Sequence, residues 1–342
     1  MLGGFLALLS AAMFALNNAS ARRGMLTGSV LQALSITVPI GVPLFFVAAL
    51  AFGYLGTLSG FSVEAVLWLA LAGIIHFIWG RYCNFRATKA MGSNLVAPVQ
   101  QGSLIVTLAL ALWILGERLT LLRLIGIGLV VLGPALAYER AESKHKANGP
   151  NRIQNAIETG AAVEIDKRPM FRPNYAEGYF FAALSSTGYG VSPILVSMGL
   201  ENKGLAFGLA GGLISYLAAT LVFGLVLLWP GQLRHLRAMD PESAKWFTVS
   251  GILVCLSQMF RYMALAVAPV SVVTPIERLA LVFRLYFSRL INPRHEMFGG
   301  RVIVATVVSL LGALALSVST EIVQSILPLP DFIAALLNWH WP

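Results

Sequence analysis

The chain has 342 residues, of which 57% are hydrophobic and only 11% are charged. Soluble domains are about half apolar and about a quarter charged, so this composition excludes a soluble globular protein and indicates one embedded in a lipid bilayer. The net charge of +9 does not indicate a nucleic-acid partner, because the basic residues are scattered through the segments between apolar runs.

Ten apolar runs are long enough to cross a bilayer as helices. A spanning helix needs about 20 apolar residues, whereas the strands of a membrane β-barrel show short alternating patterns. We therefore predict an all-α, polytopic membrane protein. Its ten transmembrane helices are predicted at 3–20, 30–53, 65–85, 95–116, 121–138, 178–199, 206–229, 246–266, 271–291 and 302–319.

The first run, 3–20, resembles the apolar core of a cleaved signal peptide and precedes a stretch of small residues, ASA. It lacks a positively charged leader, and it takes part in the repeat described below. We therefore predict that it is retained as a transmembrane helix.

Two further segments are too polar or too interrupted to span the membrane. Residues 139–177 carry charges of both signs and few large apolar residues, which predicts a mobile linker. Residues 321–342 are interrupted by two prolines and end near two tryptophans, side chains that favour the membrane interface. We expect an interfacial tail there rather than an eleventh span.

The sequence offers no constellation typical of an enzyme. The two cysteines, Cys83 and Cys255, lie in predicted helices without companions at metal-binding spacing, so we expect neither a disulfide nor a metal site. No histidine cluster, Ser-His-acid set, carboxylate pair or glycine-rich phosphate loop appears in the predicted spans. We therefore expect no enzymatic activity and no cofactor.

The second half of the sequence repeats the first. An offset of 175 residues places GGFLALLS (3–10) on GYFFAALS (178–185), and an offset of 177 places Pro98 on Pro275. Because five helices is an odd number, the second copy enters the membrane in the opposite sense. Transporters built from such inverted repeats bind their substrate near the bilayer midplane between the copies. We predict one five-helix unit at 1–138 and a second at 178–320.

Several features together match a known family. They are the ten helices in a 5+5 repeat, the segment LGERLTLLRLIGIGLVVLG (115–133), and the helix pair around Ala87 and Pro98. In these features the sequence resembles the EamA-type drug/metabolite transporter superfamily, although the second copy departs from the family pattern at INPRHE (291–296). The resemblance implies a transporter of small organic metabolites, commonly an exporter, and we expect it in the inner membrane of a bacterium.

Basic residues are distributed unevenly between the two sides of the membrane. The loops after predicted helices 1, 3, 5, 7 and 9 hold 17 of the 24 lysines and arginines, and the opposite loops hold three. The positive-inside rule then places both termini outside the cell. Members of the resembled family usually keep both termini in the cytoplasm, so the charge count and the resemblance disagree, and we favour the charge count.

Apart from Arg123 and Arg289, which lie within three residues of a span end and are counted with the loops, five charged residues lie inside predicted spans: Arg81, Arg261, Glu277, Arg278 and Arg284. A charge at the centre of a membrane helix costs about 2.5–3.5 kcal/mol, so these side chains need partners or a water-filled cavity. Four arginines face one acid, and the guanidinium fork fits a carboxylate or phosphate. This excess favours an anionic or zwitterionic cargo. Arg284 lies nearer a helix end, and we expect it to snorkel to the interface.

The repeat places polar side chains beside these charges. At an offset of 177, the polar pairs of predicted helices 3 and 4 coincide with those of helices 8 and 9. We therefore predict a substrate-binding site formed by Arg81, Asn84, Gln100, Gln101, Gln258, Arg261, Glu277 and Arg278. Asn17, His76 and Tyr189 are candidate lining residues of the same cavity. Glu117 and Glu296, at the ends of helices 4 and 9, are interpreted as structural anchors of loops.

Three alternatives remain beside the main prediction, which is a secondary transporter working by alternating access. Glu277 and a neighbouring arginine can form a structural ion pair, with the glutamines as hydrogen bonds between helices. Glu277 can also serve as a proton-coupling carboxyl. A flippase for an anionic lipid or lipid-linked sugar would use the same arginines, and it would show a lateral opening beside Arg81 and Arg261.

Overall fold

The computed structural model describes residues 2–115, 120–147, 173–200, 204–267, 273 and 276–317. Within this part of the chain every regular element is a helix, which confirms the all-α class. The predicted tail at 321–342 lies outside the described residues, and so do Glu117, Pro275 and most of the predicted linker.

The described residues of the first half form eight α-helices. They are α1 (Leu2–Gly24), α2 (Val30–Thr37), α3 (Gly41–Ala51), α4 (Val63–Gly73), α5 (Arg81–Met91), α6 (Ser93–Gln100), α7 (Gly102–Leu115) and α8 (Leu121–Ala147). A 3₁₀-helix, Leu55–Gly60, follows α3, and a π-helical segment, Ile74–Gly80, joins α4 to α5.

The second half continues, within its described residues, with six α-helices. They are α9 (Tyr175–Leu200), α10 (Leu205–Leu227), α11 (Gln232–Arg237), α12 (Pro241–Val267), α13 (Ala280–Ile291) and α14 (Gly300–Ser317).

Six helical segments of the described chain are long and apolar enough to cross a membrane. They are Leu2–Gly24, Val30–Ala51, Val63–Met91, Tyr175–Leu200, Ala206–Leu227 and Pro241–Ala264. Two shorter apolar helices, Leu121–Leu136 and Gly300–Leu316, coincide with the predicted fifth and tenth spans. The chain is therefore an integral membrane protein, while the arrangement of ten spans as 5+5 stays a prediction.

Several predicted helices differ from the observed ones: the segment predicted at 30–53 is divided into α2 and α3, and the one predicted at 65–85 contains the π-helical segment and runs on to Met91. The segment predicted at 95–116 is divided at Gln101 into α6 and α7, and the Gln101 N–H bonds back to the Pro98 carbonyl at 3.1 Å. Pro98 lies within α6, three residues before this break. The helix predicted to end at 138 runs on to Ala147, inside the predicted linker.

α1 illustrates how these helices pack. Its buried face is a row of alanines at four-residue intervals, namely Ala7, Ala11, Ala15 and Ala19. Side chains four residues apart share one helix face, and small side chains let membrane helices approach closely, so α12 packs along this row. Leu2 and Phe5 point outward and are 61% and 58% exposed, as expected where the surroundings are lipid.

The helix contacts of the two halves correspond to each other. α1 packs on α12 and α13, while α9 packs on α4, α5, α6 and α7. The predicted repeat pairs α1 with α9, α12 with α4 and α5, and α13 with α6 and α7, so each set of contacts is the counterpart of the other. α8 packs on its own counterpart α14, and a Cβ at Gly312 would lie only 2.9 Å from the Gly126 carbonyl oxygen. An inverted repeat would produce this reciprocity.

Candidate functional site

A cavity of about 130 Å³ lies between the two halves of the molecule. Its wall is formed by α1, α6 and α7 from the first half, by α9, α12 and α13 from the second, and by the π-helical segment. Eight residues named from the sequence border it: His76, Gln100, Gln101, Tyr189, Gln258, Arg261, Glu277 and Arg278. Residues far apart in the chain are therefore brought to one site between the halves.

The break between α6 and α7 sets two glutamines in the cavity wall. Gln100 donates from Nε2 to the Asn84 Oδ1 at 2.7 Å and accepts at Oε1 from Arg284 Nη1 at 3.0 Å. Gln101 donates weakly to the Ala97 carbonyl, and its buried Oε1 has no partner among the described residues. Gln100 is thus fixed by its neighbours, and Gln101 presents a free acceptor.

An ion pair crosses the cavity wall between α12 and the turn before α13. Arg261 Nε lies 3.5 Å from Glu277 Oε1, and the two side chains are 27% and 12% exposed. The Ser10 hydroxyl oxygen also lies 3.5 Å from this Glu277 oxygen, a weaker contact than the one it makes with the Ser257 carbonyl at 3.0 Å. Both contacts are loose by hydrogen-bond standards, so the pair can rearrange at little cost.

Two further arginines border the cavity. Arg278 Nε is buried without a hydrogen-bond partner among the described residues. Arg284 is 3% exposed, donates to Gln100 Oε1 and to the Ser93 carbonyl, and lies 5.8 Å from the centre of the Phe14 ring. The prediction that Arg284 snorkels to the interface was wrong, because its face of α13 is turned toward the protein.

The charges around this cavity are not balanced. Among the described residues, three arginines and one glutamate border it, namely Arg261, Arg278, Arg284 and Glu277. Three positive charges against one negative charge leave two in excess. Water is scarce at membrane depth, so an excess of this kind favours a bound group of the opposite sign.

Arg81 does not border the cavity. It is 3% exposed, donates to the Thr37 carbonyl at 2.7 Å and to the Tyr216 hydroxyl at 3.3 Å, and lies 4.9 Å from the centre of the Phe77 ring. Thr37 is the last residue of α2, and the last four carbonyls of a helix have no partner within it, so the Thr37 carbonyl is available to an arginine. Arg81 is therefore held by protein groups and is not available to a ligand in the cavity.

Asn84 and Asn17 also lie outside the cavity wall. Asn84 stands behind Gln100, whose amide it accepts, and it donates at 3.4 Å to Asn18. Asn17 accepts a 2.7 Å hydrogen bond from the Ser250 hydroxyl, between α1 and α12. Asn84 therefore positions a wall residue, and Asn17 bonds two helices together.

A second, smaller cavity adjoins the first. It measures about 60 Å³ and shares His76, Pro193, Gln258 and Arg261 with the larger cavity. The remaining wall is mainly apolar, formed by Ala72, Gly73, Phe77, Ser192, Val196, Ser215 and Tyr262. The Ser215 hydroxyl already donates to the Leu69 carbonyl at 2.8 Å. The charged cavity thus has an apolar side pocket.

Some lining residues were missed from the sequence. Ser10 and Ser257 bond reciprocally, each hydroxyl donating to the other residue's carbonyl at 3.0 Å, and both border the cavity. Ser10 is one of the residues that recur in the repeat, which was the available signal. Phe14 and Thr107 carry no comparable signal, since single aromatic and hydroxyl residues are common in membrane helices.

Comparisons with known proteins agree with this architecture. Residues 1–138 match the model of the EamA-like transporter family. No curated protein matches the chain, whereas thirteen chains of solved structures do. One of these, a crystal structure of a protein, has a TM-score of 0.52 and 19% sequence identity, over 92% of this chain and 94% of that chain. At this identity the likeness concerns the fold alone.

Proposed function

Through residues 1–138 the chain belongs to the EamA-like transporter family, and from this premise we propose that it exports a small anionic or zwitterionic organic metabolite by alternating access. Membership makes the protein a membrane transporter of the drug/metabolite superfamily. The cargo class, the direction and the mechanism are our proposal. The two halves would rock around the cavity between them, as in other transporters with duplicated architecture.

The excess of guanidinium groups at the cavity is the observation that carries this proposal. Arg278 and Arg284 present buried nitrogen atoms without partners among the described residues, and Arg261 is paired only loosely. A guanidinium fork binds carboxylate or phosphate with two parallel hydrogen bonds. The anionic group of the cargo would therefore bind between Arg278 and Arg284, with Gln101 Oε1 accepting a donor group.

The apolar side pocket supports a second property of the cargo. The side pocket is small, about 60 Å³ against about 130 Å³ for the charged cavity, and Phe77, Val196 and Tyr262 form much of its wall. Burial of apolar surface contributes about 25 cal/mol per Å². We propose that the cargo carries a short aliphatic branch next to its anionic group.

Glu277 is our candidate for proton coupling. Its carboxylate is held loosely by Arg261 and Ser10, so protonation would release Arg261 into the cavity. In Glu277→Gln protein we expect transport that no longer responds to a proton gradient. Dependence that persists in this variant would exclude the carboxyl from coupling.

The flippase alternative has less support from the geometry. It called for a lateral opening beside Arg81 and Arg261, and Arg81 is buried beneath Phe77 and Tyr216. We therefore keep a small soluble metabolite as the proposed cargo. We also propose the inner membrane as the location and an orientation with both termini outside, which a reporter fused to the C-terminus would test.

Transport by purified protein in liposomes tests the cargo class. A screen of small anions, zwitterions and cations of matched size should show flux for the first two classes. Arg278→Gln and Arg284→Gln should each reduce that flux at least about tenfold, since a charge-assisted hydrogen bond contributes about 1.5–3 kcal/mol and 1.4 kcal/mol is a factor of ten.

A matched control lies on the same helix. Arg289 is exposed on α13 and its guanidinium lies 5.3 Å from the centre of the Phe298 ring, so Arg289→Gln should transport as the parent does. Folded, inserted Arg278→Gln and Arg284→Gln proteins that carry anions as well as the parent would overturn the proposal.

A further inference from the structure

A buried ion pair closes the molecule at the end where α1, α5 and α13 terminate. Arg22 Nε lies 3.6 Å from Glu296 Oε1, and the side chains are 2% and 0% exposed. Arg22 also donates to the carbonyls of Thr88, Lys89 and His295 at 2.9–3.2 Å. One guanidinium therefore joins α1, the end of α5 and the loop before α14.

Glu296 anchors the same loop to the start of α6. Its carboxylate accepts from the backbone N–H groups of Ser93 at 2.6 Å and Asn94 at 3.0 Å, and the Asn94 amide donates to the Met297 carbonyl. A carboxylate at a helix N-terminus is favoured by the helix dipole. The 292–297 loop of the second half is thus fastened over the first half.

Buried polar atoms without partners lie between this ion pair and the cavity. Ser20, Ser93, Ser288 and Asn292 are at most 1% exposed, and among the described residues the three hydroxyls and Asn292 Oδ1 have no hydrogen-bond partner. Most buried polar groups in proteins are hydrogen-bonded. A row of exceptions on three different helices therefore calls for an explanation.

These residues form a continuous series that begins at the cavity. Arg284 borders the cavity and donates to the Ser93 carbonyl. Ser288 follows Arg284 on α13 at four-residue spacing, hence on one face, and Asn292 comes directly after the helix, with its N–H bonded to the Ser288 carbonyl at 2.9 Å. The Asn292 amide donates to the Ala19 carbonyl at 2.8 Å, next to Ser20. The series then reaches Arg22, and with it the ion pair.

We propose that this series is the second half of the cargo path, collapsed in this conformation and sealed by the Arg22–Glu296 pair. The inference rests on the proposed transport by alternating access. When the halves rock apart at this end, water hydrates the unpartnered hydroxyls and amides, and a small organic anion leaves Arg284 past Asn292 toward Arg22. Polar groups that are costly in the closed state become the wall of the open vestibule.

Thiol labelling tests the path without any knowledge of the cargo. Ser288→Cys is introduced into protein whose two native cysteines are replaced by alanine, in sealed membrane vesicles of each orientation. With a membrane-impermeant maleimide, we expect slow labelling in the parent. Glu296→Ala removes the carboxylate that binds Arg22 and the start of α6. It should accelerate the labelling of Ser288→Cys at least about tenfold, and only when the maleimide is on the side of the 292–297 loop.

Two control variants separate the path from general loosening. Ser309 is 0% exposed, and its buried hydroxyl has no partner in the part of the chain that the structure describes; it lies beside Gly133, away from the series. Labelling of Ser309→Cys should therefore stay slow with and without Glu296→Ala. Glu177→Gln breaks a partly exposed ion pair with Arg86 and should leave the labelling of Ser288→Cys slow. Acceleration at both cysteine positions would overturn the path.

If Glu296→Ala does not fold, Arg22→Lys is tested in its place. Lysine keeps the positive charge and lacks the guanidinium fork that binds three carbonyls. Equal labelling of Ser288→Cys with and without the tested variant overturns the inference. Acceleration in a protein that moves no organic anion supports the path and overturns the proposed cargo. Unchanged labelling in a protein whose anion flux needs Arg278 supports the proposed cargo and overturns the path.

Discussion

Two arginine–glutamate pairs in this protein have almost the same separation and very different surroundings. Arg261 and Glu277 are 3.5 Å apart at the cavity, and Arg22 and Glu296 are 3.6 Å apart at the end of the molecule. The first pair is partly exposed and makes few other contacts. The second is almost fully buried, and backbone groups of three segments bond to it. Burial and backbone partners, rather than distance, distinguish a pair that can exchange its partner for a ligand from a pair that holds segments of the protein together.

The largest expected effect comes from breaking each pair by one alanine substitution. Glu296→Ala should destabilise the protein by about 3–5 kcal/mol, because removal of one partner of a buried pair leaves an uncompensated charge. Glu277→Ala should cost clearly less than Glu296→Ala, since the Glu277 pair faces a cavity and is not held by backbone groups. Denaturation of purified protein in detergent measures both. Equal losses would remove the distinction between the two regions.

A smaller effect is expected at the turn that receives Glu296. Gly92 has φ of +87°, and a Cβ there would lie 2.8 Å from Glu296 Oε2. Gly204 has the same φ and nothing within 4 Å of its Cβ position. Alanine at either position incurs backbone strain of about 1–3 kcal/mol. Gly92→Ala should lose more stability than Gly204→Ala, and the difference measures the contact with Glu296.

Parts of the cavity were predictable because of a simple energetic rule. A charge within an apolar run needs a partner or a cavity, and the repeat brings Arg261, Glu277 and Arg278 together with Gln100 and Gln101. The helical class followed from the length of the apolar runs in the same way. These predictions depend on local composition, which one sequence contains.

The remaining assignments depend on tertiary contacts. Arg81 has the same sequence signal as Arg261, yet the Thr37 carbonyl and the Tyr216 hydroxyl accept hydrogen bonds from its guanidinium. Arg22 looked like an ordinary loop charge after the first helix, and it proved to be buried in α1. The Thr37 carbonyl is far from Arg81 in the sequence, and the 292–297 loop is far from Arg22. The sequence around each arginine therefore does not reveal its partner.

The smallest effect concerns pH and the fastened end of the molecule. Burial raises the pKa of Glu296 above its ordinary value, and this outweighs the lowering by Arg22, by the N–H groups of Asn94 and Ser93 and by Arg284. In an open conformation the carboxyl is hydrated, and its pKa returns toward the ordinary value of about 4.3. The closed conformation therefore binds the proton more tightly, so acidification should favour closure and rising pH should weaken it.

The rate of Ser288→Cys labelling, measured at a series of pH values, reports the balance between the closed and open conformations. Relative to a fully exposed cysteine, which corrects for maleimide chemistry, the rate should fall by less than tenfold on acidification. Glu296→Gln cannot titrate and should lose this dependence. His295 is the neighbouring titratable group, and burial together with Arg23, Arg22 and Arg294 lowers its pKa, so His295→Gln should keep the dependence. If His295→Gln abolishes it instead, the proton acts on the imidazole, and Glu296 fastens the loop in a charge state that does not change over this range.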